Sequence, residues 1–261
     1  MASSLIGGMV AEHSNAGKNI WVFEPNTEKA KQLVDQFDIN AARDSSELIA
    51  NVDIVVIAVK PQVLQQVLEP LKSDFAKKAP LVISVVAGIT AASIQKWLAV
   101  ELAIVRVMPN TPASIGMGAC GLYANQNVSD DQRAATELLC NAVGMSAWVE
   151  SEDDIDSVTA LSGSGPAYFM LFLQGLIEAG QAAGLSSETA KALAVQTAAG
   201  AAQLVSSSDL PLQTLIDNVT SPNGTTEKAL ESFNSNGLKA LIKEAFEAAH
   251  TRSQELAKEL G

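Results

Sequence analysis

Basic side chains are scarce in this 261-residue sequence: 17 Lys and Arg stand against 29 Asp and Glu, a net charge of −12. Nucleic acid and anionic membranes are therefore poor partners for it. Only two histidines are present, His13 and His250, on helices at opposite ends of the chain and outside every motif. No metal-ligand cluster forms around them, so no metal site is predicted, and Ser/His/Asp hydrolysis has no support. The two cysteines, Cys120 and Cys140, are isolated among apolar residues and read as small buried hydrophobes of a reducing cytoplasm. No uninterrupted apolar run reaches about 18 residues, and no basic segment precedes an apolar one at the N-terminus. The expectation is a cytoplasmic protein with no membrane contact. Aromatics make up 5% of a chain that is 48% hydrophobic, which predicts Ala-, Val- and Leu-rich helices packed on buried strands.

One further absence is architectural. Met1–His13 reads as an amphipathic helix ended by Gly17, and Asn19–Glu24 reads as a strand ending in an acid. A helix leading into such a strand normally follows another strand and a glycine-rich turn. Neither is in the sequence. The expectation is that an apolar strand and a turn with glycines belong before Met1, in the central slot of the sheet.

What is present alternates. Strands are predicted at 19–24, 39–42, 53–59, 81–87, 103–108, 118–125 and 146–151. Helices fall at 27–37, from Ser45, at 61–77, 90–99 and 129–143. "DIVVIAV" (53–59) is a continuous apolar run, as for a strand buried on both faces. Alternation of this kind means βαβ units and a parallel sheet. After about Ile155 only helices are expected, broken near Gly184–Ser187, Ser206–Pro211, Ser221–Gly224 and Asn234–Gly237. The organisation is therefore α/β, with a dinucleotide-binding domain at 1–154 lacking its first elements and an all-α domain at 155–261.

Four stretches carry chemistry. "AVKP" (Ala58–Pro61) lies at the carboxyl end of a buried strand, where open α/β sheets bind ligands. Pro61 is equally suited to begin a helix, and Lys60 to be a solvated charge. "RVMPNTPASIG" (Arg106–Gly116) brackets Asn110 and Thr111 with prolines, which stiffens a polar loop able to present amides to a flat ring such as nicotinamide. An ordinary proline-punctuated turn has the same pattern. "NVTSPNGTTEKAL" (Asn218–Leu230) opens a helix whose first-turn N–H groups suit a small carboxylate, or simply a capped helix start. "ALSGSGPAYF" (160–169) has glycines for close backbone approach or for helix packing.

Taken in order and spacing, "AVKP", "RVMPNTP", "LSGSGPAY" and "DNVTSPNGTT" resemble the pyrroline-5-carboxylate reductase family over essentially the whole chain. The resemblance implies an enzyme of proline biosynthesis with a Rossmann-like domain for NADPH or NADH and a C-terminal helical dimerisation domain. It places Ala58, Val59, Lys60 and Pro61 along the cofactor, and Met108, Pro109, Asn110 and Thr111 near its nicotinamide. Met1 and Ala2 fall at the pyrophosphate, and Glu24 and Asn26 at the adenosine ribose. Asn218, Ser221, Gly224, Thr225 and Thr226 become the substrate loop. The substrate is a cyclic imine bearing a carboxylate. The amides around Gly224–Thr226 hold that carboxylate, and the Thr226 hydroxyl, as the catalytic group, bonds the imine nitrogen. The resemblance further implies a homodimer and larger rings of dimers. An acid at Glu24 leans towards NADH, whereas Asn26 and Arg43 could serve a 2′-phosphate. Two other readings stay open at this point: a different Rossmann-type reductase of a small carboxylate substrate, and a catalytically impaired helical dimer.

Overall fold

The computed structural model describes residues 1–13 and 15–261. It falls into two units, Met1–Ser164 with Ala249–Gly261, and Gly165–Ala248.

The first unit carries the strands. Helix α1 (Ala2–Glu12) leads through a 3-10 turn (Ala16–Asn19) to β1 (Trp21–Val22), α2 (Thr27–Phe37), β2 (Asn40–Ala41), α3 (Ser45–Asn51) and β3 (Ile54–Ile57). Gly17 does not end α1, as the sequence suggests. It sits inside the 3-10 turn, where a Cβ would lie 2.6 Å from the Asp38 carbonyl oxygen. Its role is close approach to the end of α2. The end of that turn takes in Asn19, and β1 is accordingly shorter at its start than the predicted strand.

The predicted helix at 61–77 is two helices, α4 (Pro61–Leu68) and α5 (Lys72–Lys78), separated by a 3-10 turn at Glu69–Leu71. Pro70 is the cause: it has no N–H for the helical ladder, and its ring crowds the preceding turn. There follow β4 (Leu81–Ser84), α6 (Ala91–Leu98), β5 (Ile104–Met108), a 3-10 turn (Thr111–Ile115), β6 (Gly118–Ala124), α7 (Asp130–Asn141) and β7 (Gly144–Trp148). Ser129 and Gln132 form a reciprocal capping box that fixes the start of α7.

The strands make two sheets. β1 and β2 pair in parallel, and β3-β4-β5-β6-β7 form a five-stranded sheet in that order. The sheet is parallel as expected except for β5 and β6, which are antiparallel. No helix intervenes between them, and a short link returns a strand alongside its predecessor in the opposite sense. The central strands are buried on both faces. In β4, Val82 joins Leu64, Leu68, Ile94 and Ile104 on one side, while Leu81 and Ile83 join Val105, Leu122, Cys120 and Cys140 on the other. Each such side chain contributes about 1.5–3 kcal/mol by leaving water, and these layers fix the strand ends in place. The cysteines are buried and free. They are not isolated: the neighbouring Cys120 thiol, with burial, pushes the Cys140 thiol far up.

α8 (Asp154–Val158) continues into a π-helix (Thr159–Gly163) that closes the first unit. The second unit holds α9 (Gly165–Ala182), α10 (Ser187–Ser206), α11 (Leu212–Asn218), α12 (Thr225–Ser235) and the first part of α13 (Leu238–Leu260), whose residues from Ala249 on belong to the first unit. α9 packs on α10, and the rings of Phe172 and Phe233 stand 6.1 Å apart. Many apolar side chains of this unit face outward: Phe169 is 74% exposed, Leu171 71% and Leu241 62%. The stretch Asp154–Ala182 is helical, long and apolar enough by length and composition to cross a membrane. A reading based on uninterrupted apolar runs misses it, because Gln174 and Glu178 punctuate the helix.

Candidate functional site

In the first unit the predicted residues lie at strand carboxyl ends. Ala58–Pro61 follows β3: Lys60 is extended and exposed, and Pro61 is the first residue of α4. Met108 ends β5, and Pro109–Thr111 follow it. Between them, in register, runs Val85–Thr90 after β4, whose Val85 N–H reaches the Ile57 carbonyl at 3.1 Å. This middle segment was missed in the sequence. Its signal was available, since a loop between two candidate loops of a parallel sheet shares their edge.

Asn110 is 9% exposed, and its carboxamide is engaged within the protein. Its Nδ2 donates to the Ser162 carbonyl at 3.1 Å, and its Oδ1 accepts the Ala119 N–H at 2.9 Å. It therefore braces the β5 exit against both the π-helix and β6. Met108 packs against the same π-helix, where a Cβ on Gly163 would come within 2.6 Å of its Cε. Pro109 is buried and Thr111 is exposed. The "LSGSG" motif is thus the wall that seats this loop.

Arg106, two residues before Met108, is 6% exposed. Its Nη1 meets Glu152 Oε1 at 3.1 Å, and the same oxygen accepts the Ala91 N–H at 2.7 Å. Arg106 Nε has no hydrogen-bond partner. Glu152 thus joins β5 to the start of α6. From α13, the Ser253 hydroxyl bonds Asp156 Oδ1 at 2.5 Å, fixing the end of the chain to α8.

Met1 is the N-cap of α1 and provides no side-chain cap. The Ser4 and Leu5 N–H groups bond the Met1 carbonyl, while those of Ala2 and Ser3 have no acceptor earlier in the helix. The uncapped helix start, with the small Ala2 and Ser3 in its first turn, can attract an anion through the helix dipole. At the end of β1, Glu24 is half-buried, and its Oε1 accepts the Asn26 N–H at 3.0 Å. Asn26 Oδ1 in turn accepts the Lys29 N–H at 3.0 Å as the N-cap of α2. Arg43 is paired to Glu47 at 3.0 Å, which raises the pKa of the one and lowers that of the other.

The second unit gathers Asn218, Ser221, Gly224, Thr225 and Thr226 in the turn joining α11 to α12. Asn223 adopts a left-handed conformation (φ 58°), and its N–H donates to Glu227 Oε2 at 2.9 Å. The Gly224 N–H donates to the Ser221 carbonyl at 2.9 Å, and a Cβ on Gly224 would stand 2.8 Å from that oxygen. Only glycine allows so close a turn. The Gly224 N–H is therefore engaged within the turn. Gly224 is an N-cap without a side-chain acceptor, so the N–H groups of Thr225 and Thr226 have no intrahelical acceptor. Thr226 is half-buried, Thr225 exposed. This helix start can hold a carboxylate and set one hydroxyl beside it.

Comparison with known proteins agrees in both halves. Residues 152–256 match the profile for pyrroline-5-carboxylate reductase dimerisation, and residues 1–88 that for NADP oxidoreductase, coenzyme F420-dependent. The pyrroline-5-carboxylate reductase of Pseudomonas aeruginosa is 46% identical over 100% of this chain and 95% of its own length. Among solved structures, a pyrroline-5-carboxylate reductase from Coxiella burnetii superposes with a TM-score of 0.94 at 39% identity, covering 98% of this chain and 94% of that one. A pyrroline carboxylate reductase from Plasmodium falciparum with NADP bound gives 0.85 at 34%, with the same coverages of 98% and 94%.

Proposed function

The chain belongs to the pyrroline-5-carboxylate reductase family, and from that premise we propose that it reduces pyrroline-5-carboxylate to proline with NADPH or NADH. The observation that carries the reading is the start of α12, where two N–H groups without helical acceptors stand beside the half-buried Thr226. The substrate is a planar five-membered imine bearing a carboxylate, and this arrangement matches both features.

In this reading the Thr225 and Thr226 amides and the helix dipole hold the carboxylate. Ser221 and Asn218 flank it, and Gly224 keeps the turn tight. The protonated imine nitrogen donates its hydrogen bond to Thr226 Oγ1. A reduced nicotinamide held by Met108–Thr111 would supply the hydride that the imine carbon takes up. The nitrogen keeps its proton, so the product is a neutral secondary amine, which takes up a further proton from solvent. A protonated imine is already electrophilic, so the task left to the protein is alignment. On the first unit, Met1 and Ala2 face the diphosphate, Glu24 and Asn26 the adenosine ribose, Ala58–Pro61 the cofactor's length, and Met108–Thr111 the nicotinamide. Asn110 contributes by holding that loop in shape.

Residues 1–154 form the dinucleotide-binding domain in this account, and 155–261 the substrate and dimerisation domain. The outward apolar side chains of α9, α10 and α13 face a second copy, and rings of dimers extend the assembly. The net charge of −12 and the dimerisation-family match of residues 152–256 favour a partner that is neither nucleic acid nor membrane, and the reading is of a cytoplasmic enzyme.

The test is turnover of pyrroline-5-carboxylate by the full chain, with Thr226→Ala alongside. One lost transition-state hydrogen bond of roughly 1.4 kcal/mol lowers kcat/KM about tenfold. An unchanged value would remove Thr226 from the mechanism.

A further inference from the structure

The turn after β1, residues 23–26, carries one acid, Glu24, and no basic side chain. Glu24 is held in place by its own backbone: Oε1 accepts the Asn26 N–H at 3.0 Å, and Pro25 between them fixes the local φ. Among the described residues no hydrogen bond reaches the second carboxylate oxygen, Oε2, which can accept from an outside donor. Two nearby groups that could answer a phosphate are partly engaged within the protein. Asn26 Oδ1 caps α2, and the first turn of α2 adds the negative Glu28. β2 lies beside β1 in parallel, and the cation that follows it, Arg43, is bound through Nε to Glu47 at 3.0 Å while its N–H donates to the same oxygen at 2.6 Å. Lys29 and Lys31 are exposed residues of α2.

We infer that Glu24 makes this chain select the dinucleotide with a free adenosine 2′-hydroxyl over the 2′-phosphorylated one. The inference rests on the reductase reading and deepens it. The ribose diol donates to the free carboxylate oxygen, as an acid at this strand end does in dinucleotide folds. A 2′-phosphate would set two further negative charges against a fixed carboxylate, and like charges in contact strongly disfavour binding.

Equilibrium titration of the full chain with NADH and with NADPH, followed by dinucleotide fluorescence, tests this without turnover. The wild type is expected to bind NADH at least tenfold more tightly. Glu24→Ser and Glu24→Gln should shrink that ratio at least fivefold, chiefly by tightening NADPH. Raising the salt should narrow the wild-type ratio, since the repulsion is screened. Equal or tighter NADPH binding by the wild type, or an unchanged ratio in both variants, overturns the inference. If the wild type then reduces pyrroline-5-carboxylate best with NADPH, the activity stands and Glu24 selectivity alone falls. If the folded chain binds neither dinucleotide, the inference falls together with the reductase reading.

Discussion

Asn110→Ala removes a brace rather than a ligand, and its cost follows from two contacts. The Nδ2 bond to the Ser162 carbonyl at 3.1 Å and the Ala119 N–H bond to Oδ1 at 2.9 Å are both lost from a side chain that is 9% exposed. Each hydrogen bond contributes about 1 kcal/mol, and an Ala119 N–H left without an acceptor in a half-buried position adds about 1 kcal/mol or more. The sum is about 2–4 kcal/mol. At roughly 2–4 °C per kcal/mol for a domain of this size, Tm should fall by roughly 5–15 °C. Because assembly raises apparent stability, the two proteins are compared by thermal unfolding at one concentration. The loosened β5 exit should also weaken dinucleotide binding, since Met108–Thr111 would no longer be fixed to the π-helix. A Tm within about 1 °C of wild type, with unchanged dinucleotide affinity, would refute the bracing role.

Glu152→Ala leaves the Arg106 guanidinium buried with no counter-charge and should cost about 3–5 kcal/mol in urea unfolding; pairing it with Arg106→Met should recover much of the loss. The Asp154 carboxyl is held below its ordinary value chiefly by the Ser151 N–H. A carboxyl with a depressed folded pKa contributes stability that is fully present above its unfolded pKa and lost as pH falls through the folded one. Asp154→Asn should therefore flatten the acid side of a Tm-against-pH curve and leave its neutral-to-basic side parallel to wild type. Replacing Phe169 and Leu171 together with glutamate should lower the mass seen by light scattering at micromolar concentration at least twofold. A mass unchanged by the double variant would place the dimer face elsewhere.

Much of this molecule was legible in its residues, and the misses have physical causes. α2 runs over Thr27–Phe37 as its apolar spacing requires, and the buried runs in β3, β4 and β5 announced strands without fixing their ends. Pro70 was a visible breaker, but the apolar period continues across it, so one helix was read where two stand. The antiparallel β5–β6 pair was hidden because strand periodicity carries no direction; only the shortness of the link encodes it. The positions of the candidate loops were legible because strand ends and proline pairs mark them. What Asn110 bonds to was not, since Ser162 and Ala119 come to it through the fold. The same limit applies to Arg106 and Glu152, whose pairing joins a strand to a loop far along the chain. The engaged N–H of Gly224 is the subtlest case: the turn sequence predicts donors, but not which of them the turn itself consumes.

The central claim is that this chain moves a hydride from a nicotinamide to the imine carbon of pyrroline-5-carboxylate. The most direct measurement is mass spectrometry of proline formed by the full chain from pyrroline-5-carboxylate and reduced dinucleotide carrying deuterium at the transferring position of nicotinamide C4. The account predicts proline bearing one deuterium on the former imine carbon, in an amount equal to the dinucleotide oxidised. Unlabelled proline, or dinucleotide oxidation with no proline, would contradict it.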